Sequence, residues 1–238
     1  MPALPPTWLA PATLREATIA QREIAAAVDQ MDRHGEIRTI AGADTSSKWL
    51  DRHGPLHAAL APLRWPNASP CPPATFSEVP RFPYTSGYLG FREAPALIVA
   101  WDRLETKPDL LFVDGQGRAH PRRCGIACQL GVLLDIPAIG VAKTLLCGAI
   151  EGEVGPAVGD RAPLIERGEV IGVALRTAIR GRPVYVSIGH RVSLDSAVEW
   201  VLRLSEGRRL PLPIRLAHDA SNETRRAWEA AATGAAHG

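Results

Sequence analysis

Apolar and polar positions along the chain follow two periods, one helical and one alternating. Up to about residue 34, Leu14, Ala17, Ile19, Ile24, Ala27, Val28 and Met31 recur at near-helical spacing behind a proline-bounded start, which predicts an amphipathic helix. Three short apolar runs follow, Ile37–Ala43, Leu56–Leu63 and Ala74–Val79, separated by Gly, Asp, Asn and Pro clusters as hairpin-linked antiparallel strands are. After Phe82 the style changes. Phe91–Leu104 predicts a helix with Ala94, Leu97, Ile98, Trp101 and Leu104 on one face and Pro95 in its first turn, where proline is tolerated. Asp109–Val113 reads as a continuous apolar strand closed by Asp114-Gly115, Arg123–Leu134 as a helix, and Ala138–Ala142 as a short buried strand. Val170–Leu175 and Val184–Ile188 suggest a further strand pair, and Ser193–Glu206 a helix with Ser193 as N-cap and Asp195 in its first turn. Past Arg209 the chain is broken by prolines and ends in a small Ala-rich helix; residues 1–10 and 222–238 are expected to be peripheral or frayed.

A meander of strands followed by helix–strand units is a mixed-sheet α/β arrangement. The most linker-like stretch, NASPCPPATF, lies between two strands and reads as a loop, so residues 1–238 are expected to form a single domain.

Composition narrows the class. The 238 residues are 46% hydrophobic and 22% charged, enough apolar material for a sizeable core. A net charge of +2 excludes a purely electrostatic nucleic-acid coat, though not a local basic face. No apolar run approaches the roughly 20 residues of a membrane helix. No basic segment precedes an apolar one at the N-terminus, so a cytoplasmic protein is expected. Cys71, Cys124, Cys128 and Cys147 form no C-x-x-C pair and no zinc spacing; His120, Cys124 and Cys128 fall at i, i+4, i+8, but small buried side chains in a reducing compartment account for them more simply.

Three acidic residues lie at predicted element ends: Asp44 after IRTIAGA, Glu93 at the opening of the FRE helix, and Asp114 at the close of DLLFV. Singly, the aspartates could be turn residues and the glutamate a helix-dipole partner. Jointly, carboxylates from two neighbouring strands and an adjacent helix can converge, and such a cluster repels itself unless a cation occupies it. An all-oxygen set suits Mg²⁺ or Mn²⁺, the hard cations of phosphoryl chemistry.

The flanking segments fit phosphate handling. GQGRAHPRR carries two glycines, His120, Arg122 and Arg123, and between Gly115 and Ile150 four basic residues face one acid, Asp135. Residues 170–194 hold four arginines and no acid, which leaves the remainder of the chain net acidic. Only Lys48, Lys107 and Lys143 are lysine, against an arginine-rich background. Lys143 follows the strand AIGVA, where a compact ammonium could meet a phosphate oxygen or an attacking water. His190, in SIGHRVS, could be a proton carrier, a supporting group or a turn residue. The segment PYTSGYLGFRE concentrates Tyr84, Tyr88 and Phe91 just after Phe82, and aromatics beside a nuclease-type site can stack on bases or wedge between them.

The motifs IAGADTSS, PYTSGYLGFRE, FVDGQGRAHPRRCGIA, PAIGVAKTLLCG and GHRVSLDSAVEWV, in this order and spacing over roughly residues 10 to 220, resemble the endonuclease V family of deaminated-base repair nucleases. The resemblance implies a ribonuclease H-like mixed sheet flanked by helices. It implies a metal-dependent endonuclease that recognises deoxyinosine or inosine, hydrolyses the second phosphodiester 3′ to the lesion and leaves 5′-phosphomonoesters. Asp44, Asp114 and Glu93 would hold the metal, Mg²⁺ or Mn²⁺. Lys143 would steady the phosphate or nucleophile, with His120 and His190 supporting the site. Tyr84 would be the strand-separating wedge; Gly87, Leu89, Arg92, Gly115, Gly117, His120 and Arg122 would contact nucleic acid or receive a flipped hypoxanthine, whose weak pairing makes extrusion cheap. The expected partner is inosine-containing DNA or RNA, bound by a monomer. One departure stands out: the family's wedge reads Pro-Tyr-Ile/Val-Pro-Gly/Ser, whereas here Thr85 and Ser86 replace the stiff pair, which predicts a looser turn. The alternatives are a non-cleaving nucleic-acid-binding homologue, in which the fold and wedge persist without catalysis, and a ribonuclease H-like nuclease acting on RNA or branched DNA.

Overall fold

The computed structural model of the chain describes residues 4–48, 51 and 53–235. The alternation of side chains along Thr39–Ser47 (β1) sends Ile40, Gly42 and Asp44 to one face of a sheet and Ala41, Ala43 and Thr45 to the other. Its neighbours are Leu56–Arg64 (β2), antiparallel, and Leu110–Asp114 (β5), parallel. Ser69–Pro70 (β3) and Ala74–Glu78 (β4) pair with the outer side of β2. Beyond β5 lies Ala138–Ala142 (β6), again parallel. Four antiparallel partners then extend the sheet: Val184–His190 (β10), Glu169–Leu175 (β9), Arg161–Glu166 (β8) and Ala149–Ile150 (β7). An antiparallel meander with two parallel strands added beside β1 is the ribonuclease H-like arrangement that the resemblance implied.

Both faces are covered, which is why the central strands read as continuous apolar runs. On one side Ala41, Ala43, Leu111 and Val113 pack against Leu89–Asp102 (α2) and Ile126–Leu134 (α3) through Leu97, Ala100 and Leu130. On the other, Ile40, Phe112, Ile139 and Val141 meet Leu194–Ser205 (α4) and the first turn of Leu212–Ala235 (α5) through Val198, Val201 and Ile214. Ser193 caps α4, its side chain accepting from Ser196 N–H at 3.2 Å.

Several expectations are corrected. The strand expected to stop at Ala43 continues to Ser47, so Asp44 sits inside β1 rather than in a turn after it. The first helix, Leu14–Ala27 (α1), ends well before residue 34. It buries Ala17, Ala20, Gln21 and Ile24, while Leu14, Ile19 and Met31 are exposed. Small side chains set this narrow face because α1 packs on Cys124, Cys128 and Val132 of the α3 region. Residues Glu93 and Pro95 lie in the second turn of α2, not its first, because the helix starts two residues earlier, at Leu89. Segment 222–238, expected to be peripheral or frayed, continues α5 as far as Ala235 with none of residues 222–233 buried; residues 236–238 lie outside the described residues. Residues β7 and β8 were not anticipated, since Arg161–Glu166 alternates only weakly.

One close approach fixes where α5 lies. A Cβ on Gly42 would stand 1.9 Å from the Pro213 carbonyl oxygen, so only glycine lets the start of α5 rest on β1.

Candidate active site

The three parallel strands deliver their C-terminal ends to one edge of the sheet, the usual place for a ligand in an open α/β sheet. Ala43 pairs with Val113 and Asp114 with Val141, so Asp44, Asp114 and Lys143 arrive on successive strands. The Lys143 ammonium forms an ion pair with Asp114 Oδ2. The pleat decides the partners of β1. Asp44, on the α5 side, meets His218 Nδ1 at 2.9 Å and accepts the Thr45 N–H on its other oxygen at 2.8 Å. Thr45, on the α2 side, has its side chain on Glu93.

Ligand atoms of Asp44, Asp114 and His218 all lie within 4.8 Å of one another, close enough to share one cation. The carboxyl groups carry the electrostatic signature of a site built around positive charge. Burial, then the charges of Asp44 and Asp114, push Glu93 up to about 8. Burial and the Asp114 charge push Asp44 up to about 6. Two oxygen ligands with one imidazole suit Mg²⁺ or Mn²⁺, and the repulsion supplies the reason to bind one. Residue His218 was missed by sequence reasoning, because prolines at 211 and 213 and the Ala-rich tail disguised its helix. Its signal was the helical spacing of Ile214, Ala217 and the small Ser221, which places residue 218 beside the buried stripe.

Next to the acids is a cavity of about 310 Å³, lined among others by Gly87, Leu89, Glu93, Asp114, Gly115 and His120. Its wall is the turn closed by the Tyr88 N–H on the Thr85 carbonyl at 3.0 Å, with Gly87 at φ +75°. Tyr84, two residues before Ser86 of the lining, is exposed. The His120 ring accepts the Arg122 N–H on Nδ1 at 3.2 Å and donates from Nε2 to the Gly87 carbonyl at 3.1 Å. Burial and the nearby Arg122 push its pKa down to about 4, so it is a neutral strut.

Other expected residues sit differently. His190 is not at the site. It pairs with Ala138 at the start of β6, whereas Lys143 follows the end of that strand, about 16 Å away at 3.3 Å per residue. Its ring accepts the Asp29 N–H at 3.1 Å and faces Asp135, so it joins the segment after α1 to the far edge of the sheet. Arg92 is buried and directed at the Phe82 and Gly54 carbonyls, at 3.3 and 3.5 Å. Arg122 holds the Gly87 carbonyl at 2.6 Å and lies 4.1 Å over the Tyr88 ring. Gly117 turns to β10, its N–H donating to Ser187 Oγ at 2.9 Å. The broad basic face is also reduced. Arg118 and Arg123 pair with Glu169 at 2.6 Å each, Arg123 also pairs with Glu166, and Arg191 pairs with Asp135 at 2.7 Å. Arg180 and Arg182 remain exposed on the loop before β10.

The sequence matches the endonuclease V family model over residues 22–219, a span that takes in Asp44, Glu93, Asp114, Lys143 and His218. The chain belongs to the endonuclease V family. An endonuclease V of Rhodospirillum centenum is 46% identical over 238 residues, 100% of this chain and 98% of the relative. The crystal structure of endonuclease V from Streptomyces avermitilis superposes with a TM-score of 0.84 at 37% identity, covering 96% of this chain and 98% of that one. Endonuclease V of Ciona intestinalis, solved in complex with a 24mer DNA containing an inosine followed by a ribo-adenosine, superposes at 0.76 with 26% identity, covering 90% and 98%. Membership makes this endonuclease V homologue a hydrolase of the endonuclease type. Among the described residues no helix is long and apolar enough to cross a membrane.

Proposed function

We propose that the chain is a metal-dependent repair endonuclease that recognises a deaminated purine, hypoxanthine in DNA or RNA, and hydrolyses the second phosphodiester on its 3′ side. The observation that carries the reading is the adjacency of a cation-seeking acidic cluster and a base-sized cavity, with Lys143 lining the cavity beside Asp114. Complexes of the Ciona intestinalis relative with inosine-containing DNA support the choice of lesion.

In this reading Asp44, Asp114 and His218 hold Mg²⁺ or Mn²⁺, with Glu93 completing the acidic ring. The ion would supply charge neutralisation at the scissile phosphate and a more acidic bound water. Glu93, buried close to both aspartates, orients the attacking water. The Lys143 ammonium steadies a non-bridging phosphate oxygen. Water oxygen bonds to phosphorus as the P–O3′ bond breaks, a proton passes to the 3′ oxygen, which leaves as a hydroxyl, and the phosphate stays on the 5′ carbon of the downstream nucleotide. Tyr84 parts the strands. The flipped base enters the cavity between the Gly87–Leu89 wall and Gly115, where His120, neutral, keeps the wall in place.

Duplex DNA, single-stranded DNA and RNA, each with one inosine, are incubated with Mg²⁺ or Mn²⁺. The expected product is a single nick one phosphodiester beyond the lesion, abolished by chelator and reduced about a thousand-fold or more in Asp114→Asn. Absence of lesion-dependent cleavage on all three, or undiminished cleavage by the variant, overturns the proposal.

A further inference from the structure

The turn that carries Tyr84 has little stiffness of its own. With the Thr85 carbonyl accepting the Tyr88 N–H and Gly87 at φ +75°, Ser86 fills the second place of a turn in which proline is the favoured residue. Serine there leaves the backbone free to change φ. Other elements supply the restraint. Three donors converge on the single carbonyl of Gly87: Gln21 Nε2 at 3.0 Å, Arg122 Nη2 at 2.6 Å and His120 Nε2 at 3.1 Å. The hydroxyl of Tyr88 is bonded to Thr18 Oγ1 at 2.8 Å, and its ring lies under the Arg122 guanidinium.

Gln21 is the hub of this arrangement. Its side chain is 2% exposed, it lines the cavity from α1, and its Oε1 accepts from Arg122 Nε. Its Nε2 also reaches the Cys124 carbonyl at 3.3 Å, tying the turn to the segment that leads into α3. A buried amide that satisfies both its oxygen and its nitrogen on two separate segments, the turn at Gly87 and the stretch Arg122 to Cys124, has one orientation, so it holds both in one geometry against α1.

We propose that Gln21, seconded by Thr18, is a positioning residue for strand opening: α1 braces the turn from outside and so aims Tyr84 at the duplex. This rests on the reading of Tyr84 as the strand-separating residue. It separates this function from the chemistry of the acids, which Gln21 does not touch. A single-stranded substrate needs no opening, so beyond the cavity wall that both substrates use, the brace adds a loss on duplex alone.

The test compares wild type, Gln21→Ala, Thr18→Val and the double variant Gln21→Ala with Ser86→Pro on inosine in duplex and in single-stranded DNA, with hydrogen exchange of residues 84–88 followed in parallel. Gln21→Ala, which also loosens the cavity wall that both substrates use, is expected to lower cleavage of both, with the loss on duplex about ten-fold the greater. Exchange across the turn should quicken. Thr18→Val, which removes the bond to Tyr88 and one to the Leu14 carbonyl within α1 without opening a cavity, should give a smaller duplex-selective shift in the same direction. Ser86→Pro should restore most of the duplex rate in the Gln21→Ala background, because a stiffened turn no longer needs the brace. Equal losses on both substrates without rescue, or unchanged exchange in Gln21→Ala, overturn the proposal. Failure of the wild type to cut any inosine strand refutes the lesion-nuclease reading instead, and exchange alone then decides whether the brace holds.

Discussion

Replacing Glu93 by glutamine removes one charge from a cluster that repels itself, and the structure sets the size and sign of the result. Burial and the charges of Asp44 and Asp114 raise Glu93 from 4.5 to about 8. A carboxyl raised in this way is protonated in the folded state and ionised in the unfolded state between those two values. The folded state therefore binds the extra proton, and stability falls as pH rises from about 4.5 to about 8. At pH 7.5 the metal-free protein would lose at most about 4 kcal/mol from this group. The neighbouring cavity admits water, so about half of that, roughly 2 kcal/mol, is the expected cost. For a domain of this length that is a melting shift of about 4–8 °C. In chelator at pH 7.5 Glu93→Gln should therefore melt higher than wild type, and the gap should close below pH 4.5. Taking the difference between the two proteins cancels the opposite pH dependence of His120, which is held neutral by burial. Added Mg²⁺ should shrink or reverse the gap, since a bound cation favours the ionised carboxylates. The assay is a thermal melt from pH 4 to 9 with and without Mg²⁺. A variant that melts no higher than wild type at pH 7.5 in chelator would refute the reasoning.

Two other expectations follow from the geometry. Gly42→Ala places a methyl 1.9 Å from the Pro213 carbonyl oxygen, so α5 must shift and carry His218 with it. A stability loss of about 1–3 kcal/mol together with weaker Mg²⁺ affinity, read by melting and by metal titration, is expected; unchanged affinity would show that His218 plays no part in holding the ion. His190→Ala should lower stability by about 1–3 kcal/mol, through the unpaired Asp29 N–H and the vacated space, yet leave inosine cleavage within about two-fold of wild type. A loss of cleavage at the temperature where the variant is fully folded would return His190 to the site.

The sequence by itself determined the elements of the central sheet. Continuous apolar runs such as Leu110–Val113 and Ala138–Ala142 can be buried only on both faces, and Asp114 and Lys143 directly follow them, so the ends of those strands were legible as chemistry. The acidic trio was legible for a related reason, since carboxylates set among apolar positions of two strands and a helix are costly without a purpose. Tertiary structure decided what each polar group faces. Along the chain Arg118, Arg122 and Arg123 read alike, but Glu166 and Glu169, contributed by a hairpin more than forty residues away, neutralise two of them, and the Gly87 carbonyl takes the third. His190 and His218 differ by register and packing alone: an antiparallel pairing puts one at the far edge of the sheet, and a close approach at Gly42 brings the other onto Asp44. Periodicity reports which face of an element is buried, because burial follows from local pattern. It carries no information about which distant segment arrives there, and in this protein those arrivals complete the acidic cluster and brace the turn beside it.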